Sequence, residues 1–221
     1  ENSCSGSPIA WKPTMSDRQS KLHELLLQNL IELNLTQIAA TYREVLDEAA
    51  RRNSSMLEVL SSLVASEMTS RRQKALQRRI LQAKLPKLKT LAEYKFEFPK
   101  RIPKQKIVRL FDCEFIEQHQ CAILIGPTGT GKTHLMTALG YTACERGITV
   151  RFTRVIDMIN RLTTAQINGT LELALKAYLK PSLLLLDELG YLPIDKRGAD
   201  LLFQVVAARY ESGSIVITTN R

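Results

Sequence analysis

The sequence predicts an α/β fold, a parallel sheet with flanking helices, preceded by a small all-helical N-terminal module. Three observations carry that reading. Short, largely apolar runs recur after residue 120, at Ala122-Ile123-Leu124-Ile125, Val150 to Thr153, Leu183-Leu184-Leu185-Leu186 and Ile215-Val216-Ile217. Segments of helical spacing separate them, and apolar strands alternating with helices imply a parallel sheet covered on both faces. Residues 15 to 85, by contrast, hold helical periodicity alone.

A chain of 221 residues has room for one large core or for two parts, and the change of pattern near Lys106 favours two. A hydrophobic share of 44% with 24% charged residues excludes wholesale disorder. No stretch reaches the roughly 18 apolar residues of a membrane span, and the first residues lack a basic region followed by an apolar run and a cleavage site. A cytoplasmic protein with no membrane partner is expected. Cys4, Cys113, Cys121 and Cys144 form no Cys-x-x-Cys pair and the histidines do not cluster. Neither a zinc site nor a disulfide framework is expected, only buried or idle thiols.

Taken in order, residues 1–14 read as a tail without periodicity, upstream or vector-derived. Ser16 and Gln19 have capping-box spacing ahead of Leu22, Leu25, Leu26, Leu30 and Leu33, which recur at helical intervals. A second helix opens near Thr36, with Ile38, Tyr42, Val45 and Leu46 on one face and Arg51-Arg52 at the negative end of its dipole. Ser55 and Glu58 form another capping box, opening a third helix that Pro86 stops. Residues 15–85 are thus a helical module for binding DNA or a partner, 86–106 a basic linker interrupted by Pro99 and Pro103, and 107–221 the α/β domain. Within that domain, helices are expected at Ile107 to Phe115, Thr133 to Arg146, Ile156 to Tyr178 with a break at Asn168-Gly169, and Ala199 to Tyr210.

The net charge of +9 is concentrated in one place. Residues 69–106 hold thirteen Lys or Arg against two acids, Glu93 and Glu97, leaving eighteen against twenty elsewhere. That asymmetry is the electrostatic footprint of a nucleic-acid contact rather than of a generally basic protein. A merely solvated helix face is the plainer alternative.

Gly126-Pro127-Thr128-Gly129-Thr130-Gly131-Lys132-Thr133 lies directly between a predicted strand and a predicted helix. There, backbone N–H groups can converge on phosphate oxygens, so the segment reads as a phosphate-cradling loop for ATP with magnesium. The glycines let the backbone approach, Lys132 offers charge to the β and γ phosphates, and the Thr133 hydroxyl can ligate Mg2+. Fifty-five positions after Lys132, the apolar run delivers Asp187 and Glu188 at its C-terminal end, where ligands bind in open parallel sheets. Asp187 would hold magnesium indirectly, and Glu188 would orient or deprotonate the attacking water. Asn220, in the polar tip Thr218-Thr219-Asn220, could sense the γ-phosphate through its amide. His134 reads as a packing or solvent-contact residue, and Tyr191 and Tyr210 as structural ones, with nucleotide or interface contact as the lesser alternative. Arg161, Lys176 and Lys180 are candidates for DNA contact or for an ordinary solvated face.

These tips resemble the AAA+ branch of P-loop ATPases. On wider reading, the phosphate loop with His134-Leu135, Ala138-Leu139-Gly140, Leu186-Asp187-Glu188-Leu189-Gly190-Tyr191, Leu202-Phe203-Gln204 and Arg209-Tyr210-Glu211 resemble the IstB-like transposition helper ATPases. Glu67 with Arg71-Arg72 and the Ala83-Lys84-Leu85-Pro86 turn extend the resemblance to about residues 15–221. It implies a bacterial insertion-sequence protein that assembles on double-stranded DNA into an ATP-dependent oligomer and activates a cognate transposase at a target site. DnaC-like helicase loaders share most of these motifs, so a replicative helicase loader is the alternative. A remnant that binds nucleotide and DNA without efficient turnover is a third reading.

In AAA+ proteins the segment beyond the sensor supplies an arginine finger, a fifth strand and closing helices, whereas this sequence ends at Arg221. The expectation is a domain truncated after the fourth strand, with Ala122–Ile125 at an open edge. Binding without brisk turnover is expected with it, since such a finger is worth roughly 10³ to 10⁵ in rate. Arg209 is read as either a reach toward a neighbouring subunit or a surface salt bridge.

Overall fold

The computed structural model describes residues 15–96 and 103–220. The tail expected at 1–14 and the linker residues 97–102, Pro99 among them, lie outside the described residues. Two compact units divide between Gln73 and Lys74.

The first unit is helical, with α1 (Met15–Glu32), α2 (Thr36–Arg52) and the start of α3 (Met56–Ala83). α1 already contains Ser16, so it does not open at the expected capping box. The second box is formed: the Ser55 N–H donates to Glu58 Oε2 at 2.7 Å, and the Glu58 N–H to Ser55 Oγ at 3.3 Å. No side chain of Leu35 can cap α2, and Glu67 takes that role from α3. Its Oε2 accepts the N–H groups of Gln37 and Ile38 at 2.8 and 3.1 Å, while Oε1 accepts Arg71 Nε at 2.9 Å. Arg71 also donates to the Asn34 carbonyl at 3.0 Å, fastening the α1–α2 turn. The leucine stripe of α1 is only partly covered: Leu30 is buried, but Leu22, Leu25 and Leu33 are exposed. A unit this small has too little interior to bury them all.

The second unit holds a four-stranded parallel sheet. Its strands are β1 (Ala122–Ile125), β2 (Val150–Arg154), β3 (Leu183–Leu189) and β4 (Ser214–Thr219), in the spatial order β1-β4-β3-β2. α6 (Lys132–Glu145) covers one face, together with α4 (Lys104–Leu110) and α5 (Glu114–Glu117). α7 (Val155–Ile167), α8 (Leu171–Leu179) and α9 (Lys196–Ala208) cover the other. β3 makes the logic plain. Leu183 and Leu185 enter the α6 core while Leu184 and Leu186 enter the α7–α9 core, and all four have no exposed surface. Each contributes about 2 kcal/mol by burial, which is why the run is continuous rather than alternating.

Three expectations need correction. β1 lies at the expected edge of the sheet but is not covered on both faces, since Ile123 and Ile125 are exposed. The helix expected over Ile107 to Phe115 is broken by Cys113 in the left-handed region (φ 59°), giving the short α4 and α5, and Pro103 precedes α4 rather than ending regular structure. The helical module does not end at residue 85, nor is the described part of 86–106 a free linker. Leu76, Ile80, Ala83, Leu85, Leu91, Tyr94 and Phe96 pack into the α6 core, so the chain belongs to the α/β unit from Lys74 onward. Gly140 permits that packing, because a Cβ there would stand 2.7 Å from Leu185 Cδ1 and 3.0 Å from Leu85 Cδ2.

Candidate nucleotide site

β1 delivers the chain to Gly126, whose N–H donates to the Thr219 carbonyl at 3.3 Å, tying the start of the phosphate loop to the end of β4. The loop closes at Gly131 (φ 80°), the residue before α6, which supplies no side-chain cap. The first amides of α6 are therefore left for a ligand, at the positive end of the helix dipole. Lys132 folds back over the loop, its Nζ donating to the carbonyls of Gly126 and Pro127 at 2.7 and 2.8 Å. Thr130 Oγ1 donates to Pro127 O at 2.9 Å. Tyr94 braces the loop from outside: its hydroxyl donates to Thr130 O at 2.8 Å, and burial pushes its pKa up. A Cβ on Gly131 would stand 2.7 Å from the Tyr94 ring, so this position excludes every side chain on both steric and backbone grounds.

β3 brings the acid pair to the same cleft. Thr133 Oγ1 donates to Asp187 Oδ1 and Oδ2 at 3.1 and 3.0 Å, and Thr218 Oγ1 also donates to Asp187 Oδ1. The Thr218 hydroxyl in turn accepts the Glu188 N–H at 2.9 Å. One β4 side chain thus fixes the carboxylate of Asp187 and the backbone of Glu188. Asp187 is buried, which its two hydroxyl donors make tolerable. Glu188 has φ 64°, and the β3–β4 register shifts between Leu186 and Leu189, a bulge that re-aims the strand at its acidic end. Strain at a non-glycine residue is characteristic of functional positions. Arg154 stands beside Asp187 in the β2–β3 register, and its bond to Asp157 and, more weakly, the fields of Glu188 and Asp187 raise its pKa.

Gly131, Lys132, Thr133, Asp187, Glu188 and Thr218 line a cleft of about 330 Å³ that also includes Thr128, Tyr191 and Thr219, a size suited to a small ligand. Asn220 is exposed one residue beyond Thr219. His134 packs as expected: its Nε2 lies 3.1 Å from Thr90 O, and its ring meets the edge of Tyr94 at 5.5 Å. Tyr191 does more than pack, with its hydroxyl 2.6 Å from Thr128 Oγ1. Arg209 is neither a reach toward a neighbour nor a surface salt bridge. It is 1% exposed and donates to the carbonyls of Tyr178, Pro181, Ser182 and Ser214 at 2.8 to 3.0 Å, with burial lowering its pKa.

Sequence reasoning placed Thr218 in the polar tip without giving it a role, and passed over Tyr94. A hydroxyl residue continuing the apolar run of β4 was the available signal for Thr218, and nothing local marked Tyr94. Along the outer side of β2 run two adjoining clefts of about 540 Å³ each, lined by Arg79, Lys84, Arg151, Arg154, Arg161 and Lys180 among others. Lys176 does not line them.

The family described as IstB-like ATP binding protein matches residues 28–221. The ATP-binding protein of insertion sequence IS232 from Bacillus thuringiensis subsp. berliner is 36% identical over 198 residues, covering 90% of this chain and 79% of that one. Its counterpart from insertion sequence IS21 of Pseudomonas aeruginosa is 34% identical over 200 residues, covering 90% and 75%. Among solved structures, AMPPCP-bound DnaA from Aquifex aeolicus is similar in fold, with a TM-score of 0.56 at 24% identity over 62% of this chain and 43% of that one. No helix among the described residues is long and apolar enough to cross a membrane. The fold is that of the AAA+ P-loop proteins, and the chain belongs to the family of IstB-like ATP-binding proteins.

Proposed function

We propose that this protein hydrolyses ATP and serves on double-stranded DNA as the helper of an insertion-sequence transposase, contributing to target-site selection and transposase activation. The observation that carries the reading is the meeting of Lys132 and Thr133 with Asp187 and Glu188 in one cleft. Lys132 is placed to exchange its two carbonyl acceptors for β and γ phosphate oxygens. Glu188 orients or deprotonates the attacking water, and Asn220, at the tip of β4, reports on the γ-phosphate. The donor set suits magnesium, which prefers one or two protein oxygens alongside substrate phosphates to a full protein cage. Thr133 and Asp187 would hold the ion, whose charge would offset that developing on the phosphates.

Two observations support the DNA reading. The excess positive charge lies within residues 69–106, and basic side chains, Arg161 and Lys180 included, line the clefts beside β2. Self-association with ATP completes the proposal. Hydrolysis is to be measured with and without duplex DNA, for the wild type and Lys132→Ala. Activity lost in the variant and stimulated by DNA supports the reading, while failure of the wild type to bind nucleotide overturns it. Co-purification with a replicative helicase instead of a transposase would overturn the assignment of partner. DNA affinity that falls steeply with salt is expected where several Lys and Arg neutralise phosphates.

A further inference from the structure

We propose that the paired hydroxyls of Tyr191 and Thr128 are a donor for the terminal phosphate of a bound nucleoside triphosphate, and that this pair sets the preference for triphosphate over diphosphate. The inference rests on the reading of the cleft as an ATP site. The two oxygens are 2.6 Å apart, so one O–H is spent between them. A pair of hydroxyls carries two protons, and the second remains to be donated elsewhere. Thr128, Glu188 and Tyr191 line the same cleft, so an anionic oxygen between the loop tip and the acid pair is within the pair's compass. A hydrogen bond to a charged oxygen is the stronger kind, which favours phosphate over water as the acceptor.

The backbone is arranged to hold Tyr191 there. Glu188 (φ 64°) and Gly190 (φ 80°) both lie in the left-handed region, and the Tyr191 N–H donates to the Glu188 carbonyl at 3.5 Å, so a turn leads from the acid to the ring whose hydroxyl meets Thr128. Tyr191 is 44% exposed, so its ring is free to follow a ligand. The inner phosphates have the loop amides as partners, and Lys132 reaches the β and γ oxygens. Thr128 and Tyr191 add a further donor at the γ-phosphate, a group that a diphosphate lacks. Tyr191 is three positions from Glu188, so seating the terminal phosphate also steadies the turn that carries the water-handling carboxylate.

The test uses the full chain with magnesium and fluorescent forms of ADP and a non-hydrolysable ATP analogue. Tyr191→Phe keeps the ring and removes the hydroxyl. It should lose about tenfold in affinity for the triphosphate while ADP affinity changes by less than about twofold. Thr128→Val should give the same selective loss, and the double variant no more than either single one, because the two act as a unit. Equal losses for both nucleotides, unchanged triphosphate affinity, or additive effects would overturn the proposal. A wild type that binds neither nucleotide would instead overturn the ATP reading beneath it.

Discussion

Thr133 donates its hydroxyl to both carboxylate oxygens of Asp187, at 3.1 and 3.0 Å. The last residue of the phosphate loop and the first acid of β3 are therefore one unit before any nucleotide arrives. Asp187→Asn keeps the shape and an acceptor oxygen but removes the charge. Its dependence on magnesium should weaken roughly 10- to 100-fold, with metal-free nucleotide binding nearly unchanged. Titrating nucleotide affinity against magnesium concentration checks this, and a wild-type magnesium response would contradict it.

Thr218→Val is close to isosteric yet removes a donor to Asp187 and the acceptor of the Glu188 N–H. Each bond contributes about 1 kcal/mol. The expected result is a fall in turnover of roughly 10- to 30-fold with ATP affinity little altered, read from kcat against an equilibrium binding constant. Unchanged kcat would mean that the bulge at Glu188 holds itself.

In the helical unit, burial opposes the charge on Glu67, but its bonds to Arg71 and to the Ile38 and Gln37 amides outweigh this and lower its pKa below the ordinary 4.5. A carboxylate depressed on folding stabilises the native state above its unfolded pKa, and that contribution is lost as pH falls through the folded value. Hydrogen exchange at the Gln37 and Ile38 amides should therefore be slower in the wild type than in Glu67→Gln at neutral pH. The difference should shrink once the pH drops below about 4.5. A gap independent of pH would show that packing, not charge, closes the α2 terminus.

Arg209 is held by a cage of carbonyls that no other side chain satisfies in the same way. Arg209→Met should destabilise the α/β unit by more than about 3 kcal/mol, because several buried acceptors lose their donor at once. Tyr210→Ala, one residue on but 77% exposed, should change stability by less than about 0.5 kcal/mol. Thermal unfolding of the two variants distinguishes a structural arginine from one serving a neighbour.

The legible parts of the molecule were those with local causes. Leu183 to Leu186 had to be a strand covered twice, and the glycine-rich segment from Gly126 does join a strand to a helix, β1 to α6. Arg209 was not legible, because exposure separates a salt bridge from a carbonyl cage and depends on the α8–β3 turn, some thirty positions away. Tyr94 was hidden for a similar reason: a basic, proline-bearing stretch reads as linker until a distant glycine offers its ring a flat seat. The capping of α2 by Glu67 likewise comes from another helix, beyond the reach of any pattern within α2.

The position of β1 has a consequence for communication. It is one of the two edge strands among the described residues, with Ile123 and Ile125 uncovered, and its last residue adjoins Gly126. A chain that laid itself along this margin would touch the loop through a single peptide link. If it docked more tightly on the nucleotide-filled form, reciprocity requires that docking tighten the nucleotide by the same factor. A strand laid beside β1, from this polypeptide or from another, and a nucleotide could thus each register the other's presence without sharing a single atom.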